Sequence, residues 1–427
     1  MNAAARELVA TINGQTAGRL REQNNLWSFE YDPAWVNEGF DLSPHLPRAA
    51  GTIVDGATSR PVQWFFDNLL PEEQARELLA AEANIPGADA FGLLAYYGRE
   101  SAGAITLRAP EEAPGSAGYV ELTDAELSER ITNLPKQSLA AGAPKRMSLA
   151  GAQHKMAVSV LNGALFFPKG ETPSTHLLKP DHVDREHWPN SVANEYFTMR
   201  LADRMGLRVP SVQVRYVPQP VYLIERFDRE QVGDETRRLH VIDACQLLGL
   251  DRTFKYHQAT VQTFVNIIEQ CTNRARTRQD IASWVLFNLL TGNADAHLKN
   301  LSFHVDATGV RLAPFYDLVS TESYHTAPGS NPRWPNTPLS TKIGDATTFE
   351  QVNAGKYADF AEALGVTRTA IRRLIAEYTR RIELAADELI QEYETLDVQP
   401  ATRAGQLRII RTIRAVVIRD MVAKLSG

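Results

Sequence analysis

Asp295, Asn300 and Asp317 have the types and spacing that phosphoryl transfer requires. In phosphoryl-transfer sites an Asp takes the acceptor hydroxyl's proton, and an Asn after four intervening residues holds a metal ion. A second Asp, slightly downstream, also holds metal. Asp295 and Asn300 have that separation, and Asp317 follows a hairpin later. The D-x-x-x-x-N spacing arises often by chance, so its setting must carry the weight. An apolar run over 281–290, free of Gly and Pro, predicts a buried helix ahead of it. A polar loop follows, then two short strand patterns around Asp306-Ala307-Thr308-Gly309, and the second closes on Pro314-Phe315-Tyr316-Asp317.

Such a site needs elements that bring a nucleotide to it, and the upstream chain supplies candidates in a telling order. Residues 140–155 are rich in small residues, and their N–H groups could cradle phosphates, although the stretch is neither G-x-G-x-x-G nor a Walker loop. Taken alone, a plain loop is the simpler reading. A hairpin follows, with strands over 156–161 and 164–168 about Asn162-Gly163. A strand over 176–179 then ends in Lys179, and a helix over 191–205 carries Glu195 in its first turns. A strand Lys paired with a helix Glu holds nucleotide phosphates in kinases; favourable charge at a helix N-terminus is the alternative for Glu195. A second hairpin, 212–217 and 221–224, leads into Glu225-Arg226-Phe227-Asp228-Arg229, and the chain is helical in pattern over 240–300 and from 349 onward. Nearer the start, a strand over 7–12 enters an Asn13-Gly14 turn, residues 65–71 lead into a helix through 81, and a strand covers 104–107. Phe65 and Phe66 are expected in the core, and 110–118 reads as a linker.

Composition limits the alternatives. With 427 residues the chain can build two or more cores, and 44% hydrophobic with 22% charged residues is ordinary for a globular protein. A net charge of −6 argues against unaided binding to nucleic acid or acidic membranes. Cys245 and Cys271 fit reduced core thiols rather than a disulfide framework or a metal cluster. Neither a signal pattern nor a membrane-spanning run is evident, so a cytoplasmic location is expected.

The ordered motifs resemble the HipA-type serine/threonine kinase toxins of bacterial toxin–antitoxin modules, over nearly the whole length. The resemblance is carried by Phe65-Phe66-Asp67-Asn68-Leu69-Leu70-Pro71, Gly98-Arg99-Glu100-Ser101-Ala102-Gly103-Ala104 and Ser148-Leu149-Ala150-Gly151-Ala152-Gln153-His154-Lys155. It continues through Asn194-Glu195-Tyr196, Glu225-Arg226-Phe227-Asp228-Arg229, Asp295-Ala296-His297-Leu298-Lys299-Asn300 and Pro314-Phe315-Tyr316-Asp317. It implies an α+β, two-lobed kinase-like fold, with a mixed, sheet-containing N-terminal half and an all-helical C-terminal half. The expected divisions are 1–110, 111–235 and 236–427.

The same resemblance implies ATP and Mg2+ as cofactors. Asp295 would be the catalytic base, and Asn300 and Asp317 the metal ligands. Lys179 would bind phosphates, with Ala150, Gly151, Ala152, Gln153, His154 and Lys155 covering them. Glu225, Arg226 and Phe227 would hold the adenine, and His297, Lys299 and Tyr316 would complete the nucleotide site, His297 as an orienter. Ser148 matches the serine that family members autophosphorylate to silence themselves; a dianionic group beside the loop would compete for its donors and repel ATP. His154 stands where other members carry an acidic residue. The implied substrate is a host protein of the translation machinery, glutamyl-tRNA synthetase being the family's example. The implied partner is a HipB-type helix-turn-helix antitoxin, with operator DNA reached only through that complex.

The C-terminal segment accommodates such a role. Arg403, Arg408, Arg411, Arg414, Arg419 and Lys424 could form a basic face, and Leu407, Ile410, Val417 and Met421 a buried stripe. Arg368, Arg372 and Arg373 make another basic patch, with Arg368 and Arg372 the candidate DNA contacts; a solvated helix face is the alternative for both. Two rival functions are an operator-bound corepressor without catalysis, against which the intact Lys179, Asp295, Asn300 and Asp317 set argues, and a small-molecule kinase of related fold.

Overall fold

A computed structural model of the protein describes residues 5–113, 115–233, 235–326, 333–395 and 399–427; Pro114 of the expected linker and the first four residues of the N-terminus lie outside these. The chain forms two compact units drawn from interleaved segments. The first comprises Met1–Val183, Arg215–Phe254 and Ser302–Ala313, and the second Asp184–Val214, Lys255–Leu301 and Pro314–Gly427.

In the first unit, five antiparallel strands lie in the order Thr52–Val54, Leu26–Tyr31, Gln15–Gln23, Arg6–Ile12 and Ile105–Arg108. Asn13 and Gly14 both have positive φ, 49° and 83°, which lets Ile12 pair with Gln15 across a two-residue turn. Leu8, Ala10 and Ile12 alternate onto a buried face, where Phe29 meets Phe66 with ring centroids 5.5 Å apart. Phe65 and Phe66 are core residues, as expected.

Five strands of a second, six-stranded sheet run Pro220–Glu225, His176–Pro180, Met156–Leu161, Ala164–Lys169 and Gly118–Glu121, each neighbouring pair antiparallel. Its buried side includes Val158, Leu165, Leu178 and Val221, and Met147 and Leu149 join that core from the small-residue loop. The loop that carries the candidate phosphate cover is therefore anchored by burial of apolar side chains, at roughly 1.5–3 kcal/mol each. A third sheet, Val241–Asp243 with Ser302–Asp306 and Gly309–Leu312, returns a late segment to an early one. Asp306 accepts from the Thr308 N–H at 2.7 Å, closing the hairpin that precedes Asp317.

The second unit is mainly helical. Arg274–Thr291 is buried almost continuously from Ile281, starts at an Asn273 cap and stops at Gly292, whose φ of 63° is a left-handed conformation that favours glycine. Trp284 stacks on Phe315 at 6.1 Å, tying this helix to the segment carrying Asp317. Leu407, Ile410, Val417 and Met421 are buried, as the C-terminal periodicity predicts. The basic face beside them is largely neutralised within the unit: Arg411 pairs with Glu394, Arg414 with Asp387 and Glu383, and Lys424 with Glu350. Arg368 pairs with Glu362, whereas Arg372 is exposed. The half after residue 235 is helical in the main, with short paired strands set into it, among them Pro338–Ile343 with Ala346–Thr348. Among the described residues no helix is long and apolar enough to cross a membrane. Both cysteines are buried and free.

Candidate active site

The second unit builds the loop around Asp295 by passing hydrogen bonds outward from the Arg274–Thr291 helix. Asn288 donates to the Trp284 carbonyl at 2.8 Å, Asn293 donates to Asn288 Oδ1 at 2.8 Å, and the Asp295 N–H donates to Asn293 Oδ1 at 3.0 Å. The Ala294 N–H is held by Thr321 Oγ1 at 2.8 Å. Asn300 Nδ2 reaches back to the Asp295 carbonyl at 2.8 Å, and the Tyr316 hydroxyl donates to the Lys299 carbonyl at 2.7 Å. The loop is thus fixed by satisfied polar groups. The Asp295 side chain nevertheless stays 57% exposed, with His297 Nε2 3.9 Å from Oδ1 and the Tyr256 hydroxyl donating to that same oxygen.

Asn300 and Asp317 offer the oxygens a magnesium ion takes. With Nδ2 engaged by Asp295, the Asn300 amide has Oδ1 left as a ligand atom. Asp317 has a φ of 54°, a left-handed conformation uncommon outside Gly and most tolerable for Asn and Asp. Asn194, fully buried, fixes the chain just beyond: it donates to the Ser320 carbonyl and accepts from the Ser320 N–H, each at 2.9 Å. Amide and carboxylate oxygens are the hard donors that Mg2+ prefers. Among the described residues no group of three His, Cys, Asp or Glu could hold a metal by itself.

In the first unit, Lys179 is buried opposite Tyr222, with Nζ 5.8 Å from that ring's centroid. Met156 pairs with Leu178, so the small-residue loop enters its strand beside Lys179. Gly151 has a φ of 103°, and a Cβ there would stand 2.5 Å from Lys155 Nζ, which itself bonds the Ala150 carbonyl at 2.7 Å. The lysine end could shift to make room, so it is the positive φ more than the space that favours glycine here. His154 is partly buried, and burial, then the nearby His182, hold it below the ordinary histidine range. Ser148 is fully buried; its hydroxyl donates to the Leu69 carbonyl at 2.8 Å and its N–H to the Glu100 carbonyl at 2.7 Å.

Arg226 behaves differently from its neighbours Glu225 and Phe227. Its N–H donates to the Thr175 carbonyl at 2.9 Å, and its guanidinium is buried in an ionic network. The Arg226 backbone N–H is therefore not available to an adenine. Glu100 lies at the centre of the network, fully buried, taking Lys145 at 2.6 Å, Arg229 at 2.8 Å, Arg238 at 3.0 Å and Arg226 at 3.2 Å. Ser174 Oγ adds a bond at 2.7 Å. Asp228 clamps Arg226 from the other side at 2.6 Å and accepts the Gly103 N–H at 2.6 Å. Burial pushes the Glu100 carboxyl up, but the surrounding cations outweigh it and hold it well below its usual range. Burial likewise opposes ionisation of Asp228, yet Arg226 and Arg229 bring it to about 2.

Several of these residues escape sequence reasoning. Asn288 sits inside the apolar run, where a polar side chain on a buried helix is itself a signal of a required partner. Asn293, Tyr256 and Thr321 offered no spacing signal of their own. One buried carboxylate, Glu100, joins the Gly98–Gly103, Lys145 and Glu225–Arg229 stretches.

Comparison with known proteins bears on the family and the fold. The sequence profile of the HipA N-terminal domain matches residues 8–108, and that of the HipA-like C-terminal domain residues 147–386. The serine/threonine-protein kinase toxin HipA of Shewanella oneidensis is 30% identical over 88% of this chain and 87% of its own length. Y4mE of Sinorhizobium fredii, whose name proposes a kinase, is 32% identical over 93% and 97%. The Shewanella oneidensis HipA chain solved with HipB and operator DNA superposes with a TM-score of 0.80 at 26% identity, covering 96% of this chain and 97% of that one. With its kinase-like α+β fold and its Asp295 loop, the chain belongs to the HipA family of kinases.

Proposed function

We propose that the protein transfers the γ-phosphoryl group of ATP to a serine or threonine of a host protein, as the toxin of a toxin–antitoxin pair. The observation that carries this reading is the Asp295 loop: a half-exposed carboxylate on a backbone pinned by Asn293, Thr321 and Asn300. Phosphoryl transfer depends on positioning and charge neutralisation more than on covalent chemistry. Asp295 would accept the hydroxyl proton. Asn300 Oδ1 and the Asp317 carboxylate would hold magnesium, which when bound neutralises developing phosphate charge. Lys179 would place an ammonium on the nucleotide phosphates, and the loop of Gly151 and Lys155 would cover them. His297, Lys299 and Tyr316 would keep the catalytic loop in shape.

Ser148 would be the site of self-silencing. Its hydroxyl is sealed against Leu69, so phosphorylation there requires the loop to leave its seat, and a phosphate, which cannot donate to the Leu69 carbonyl, would oppose return. The Shewanella oneidensis relative is solved with HipB and operator DNA; a HipB-type antitoxin is the partner this reading assigns, with DNA reached through it. The internal pairing of the C-terminal arginines supports that indirect route. A substrate in the translation machinery remains the expectation from the family.

The test is intact mass and phosphopeptide mapping after incubation with Mg-ATP, beside Asp295→Asn. Added phosphate at Ser148 in the wild type alone is the expected result. Equal phosphorylation of both proteins would remove Asp295 from its role.

A further inference from the structure

The two carboxylate oxygens of Asp295 have unequal surroundings. Oδ1 accepts the Tyr256 hydroxyl and lies 3.9 Å from His297 Nε2, whereas Oδ2 takes no hydrogen bond among the described residues. Tyr256 is held in this position. Its ring meets His297 edge-on, with centroids 5.0 Å apart and 82° between planes, and Lys255 Nζ lies 5.3 Å from its centroid. The backbone on either side is joined too: the Leu298 N–H donates to the Lys255 carbonyl at 3.1 Å. His297 is buried, so the edge of its ring sets a firm wall for Tyr256.

An Asp carboxylate turns easily about its last torsion, which has broad and roughly two-fold wells. The backbone bonds of the loop fix where Asp295 begins but not the angle at which its carboxylate faces outward. A donor fastened to one oxygen removes that freedom. We propose that Tyr256 is a positioning residue for Asp295: its hydroxyl engages Oδ1 so that Oδ2 is presented to the acceptor hydroxyl. The proposal rests on Asp295 being the base. It is opposed by one specific alternative, in which the Tyr256 hydroxyl occupies the acceptor's own place and must be displaced before transfer.

The experiment measures initial rates of phosphate incorporation from Mg-ATP into the Asp295→Asn chain, which serves as acceptor at varied concentration. Nucleotide affinity and melting temperature are measured alongside. Tyr256→Phe removes only the hydroxyl, at a residue that is 42% exposed, so the fold has little reason to change. The expected result is a fall in kcat on the order of tenfold, the scale of modest misplacement of a reacting group. Acceptor KM, Mg-ATP affinity and melting temperature should stay as in the wild type. Tyr256→Ala should match Tyr256→Phe, because the hydroxyl carries the effect. Wild-type or faster turnover by Tyr256→Phe would overturn the proposal, faster turnover with lower acceptor KM favouring the displaced-hydroxyl alternative. A loss seen only in Tyr256→Ala would overturn it as well, assigning the effect to ring packing. If the wild type incorporates no more phosphate than Asp295→Asn acting as its own enzyme, the role of Asp295 falls and this inference with it. An active wild type with Tyr256→Phe unchanged sinks the inference alone.

Discussion

Glu100 and Asp295 are both carboxylates surrounded by hydrogen-bond donors, and they differ in what is left open. Glu100 has no exposed surface and spends both oxygens on Lys145, Arg226, Arg229, Arg238 and Ser174. Asp295 is more than half exposed and has one oxygen engaged. A carboxylate whose lone pairs are all committed in a dry interior can hold parts together, but it cannot accept a proton from a visiting group. One whose backbone is fixed and whose second oxygen is open can. Local satisfaction, more than residue type, separates a scaffold carboxylate from one able to serve as the proposed base.

Substitution at each carboxylate should separate these roles. Asp295→Asn keeps the shape of the side chain and removes its basicity, so transfer should fall by about 10²–10⁴-fold, the usual contribution of a positioned base, while the urea midpoint stays in place. Glu100→Gln should behave in the opposite sense. Its four cationic neighbours would then face Asp228 as the remaining carboxylate of the network, and breaking one side of a buried ionic cluster costs about 3–5 kcal/mol. Urea unfolding at fixed pH measures it. A stable Glu100→Gln with normal midpoint, or an Asp295→Asn that unfolds early, would erase the distinction.

Titration sharpens the same contrast. His240 is fully buried, donates Nε2–H to the Leu42 carbonyl at 2.9 Å, and lies against Phe40 at 5.5 Å. Burial, with a smaller push from His304, brings it down to about 4 despite the Leu42 bond. Because the folded value is depressed, the unfolded chain binds the proton first. The contribution is complete above about pH 6.5, is lost as pH falls towards 4, and amounts to roughly 3 kcal/mol across that window. Glu100 and Asp228, also depressed when folded, contribute above the ordinary carboxylate range and lose it only at lower pH. Stability measured from pH 7 to 4 should therefore fall through His240 and, in the same direction, through His45, His154, His176 and His325, which burial also lowers, and His240→Gln should remove part of that slope. An unchanged slope in the variant would place the proton uptake elsewhere.

The sequence made the elements legible where the signal was local. Asn13-Gly14 and Asn162-Gly163 mark their hairpins, the 281–290 run marks its helix, and the D-x-x-x-x-N spacing points to a loop pinned by Asn293, Thr321 and Asn300. Long-range pairing was hidden. The four cations about Glu100 come from positions 145, 226, 229 and 238, with no period to betray them. The C-terminal arginines look like a free basic stripe until Glu383, Asp387 and Glu394 arrive from another helix. The units interleave because Ser302–Asp306 pairs back onto Val241–Asp243, a join that chain order cannot reveal.

The smallest predicted effect is the most diagnostic for Ser148. Its hydroxyl makes one neutral hydrogen bond, to the Leu69 carbonyl, in a buried setting. Ser148→Ala removes the donor and leaves that carbonyl without it, which should cost about 1–3 kcal/mol, less than Glu100→Gln. Ser148→Asp should cost more than Ser148→Ala, since a carboxylate cannot donate to Leu69 and enters a space where the chain has no exposure to water. If Ser148 only fills its seat, both variants lower the urea midpoint and keep transfer in proportion to the folded fraction. If its loop also governs nucleotide access, Ser148→Asp should lose Mg-ATP binding at a urea concentration where Ser148→Ala, though destabilised, still binds. Isothermal titration of the two variants with Mg-ATP well below their midpoints decides it: equal affinity would confine Ser148 to packing, and a loss in the aspartate variant alone would join the buried region to the site.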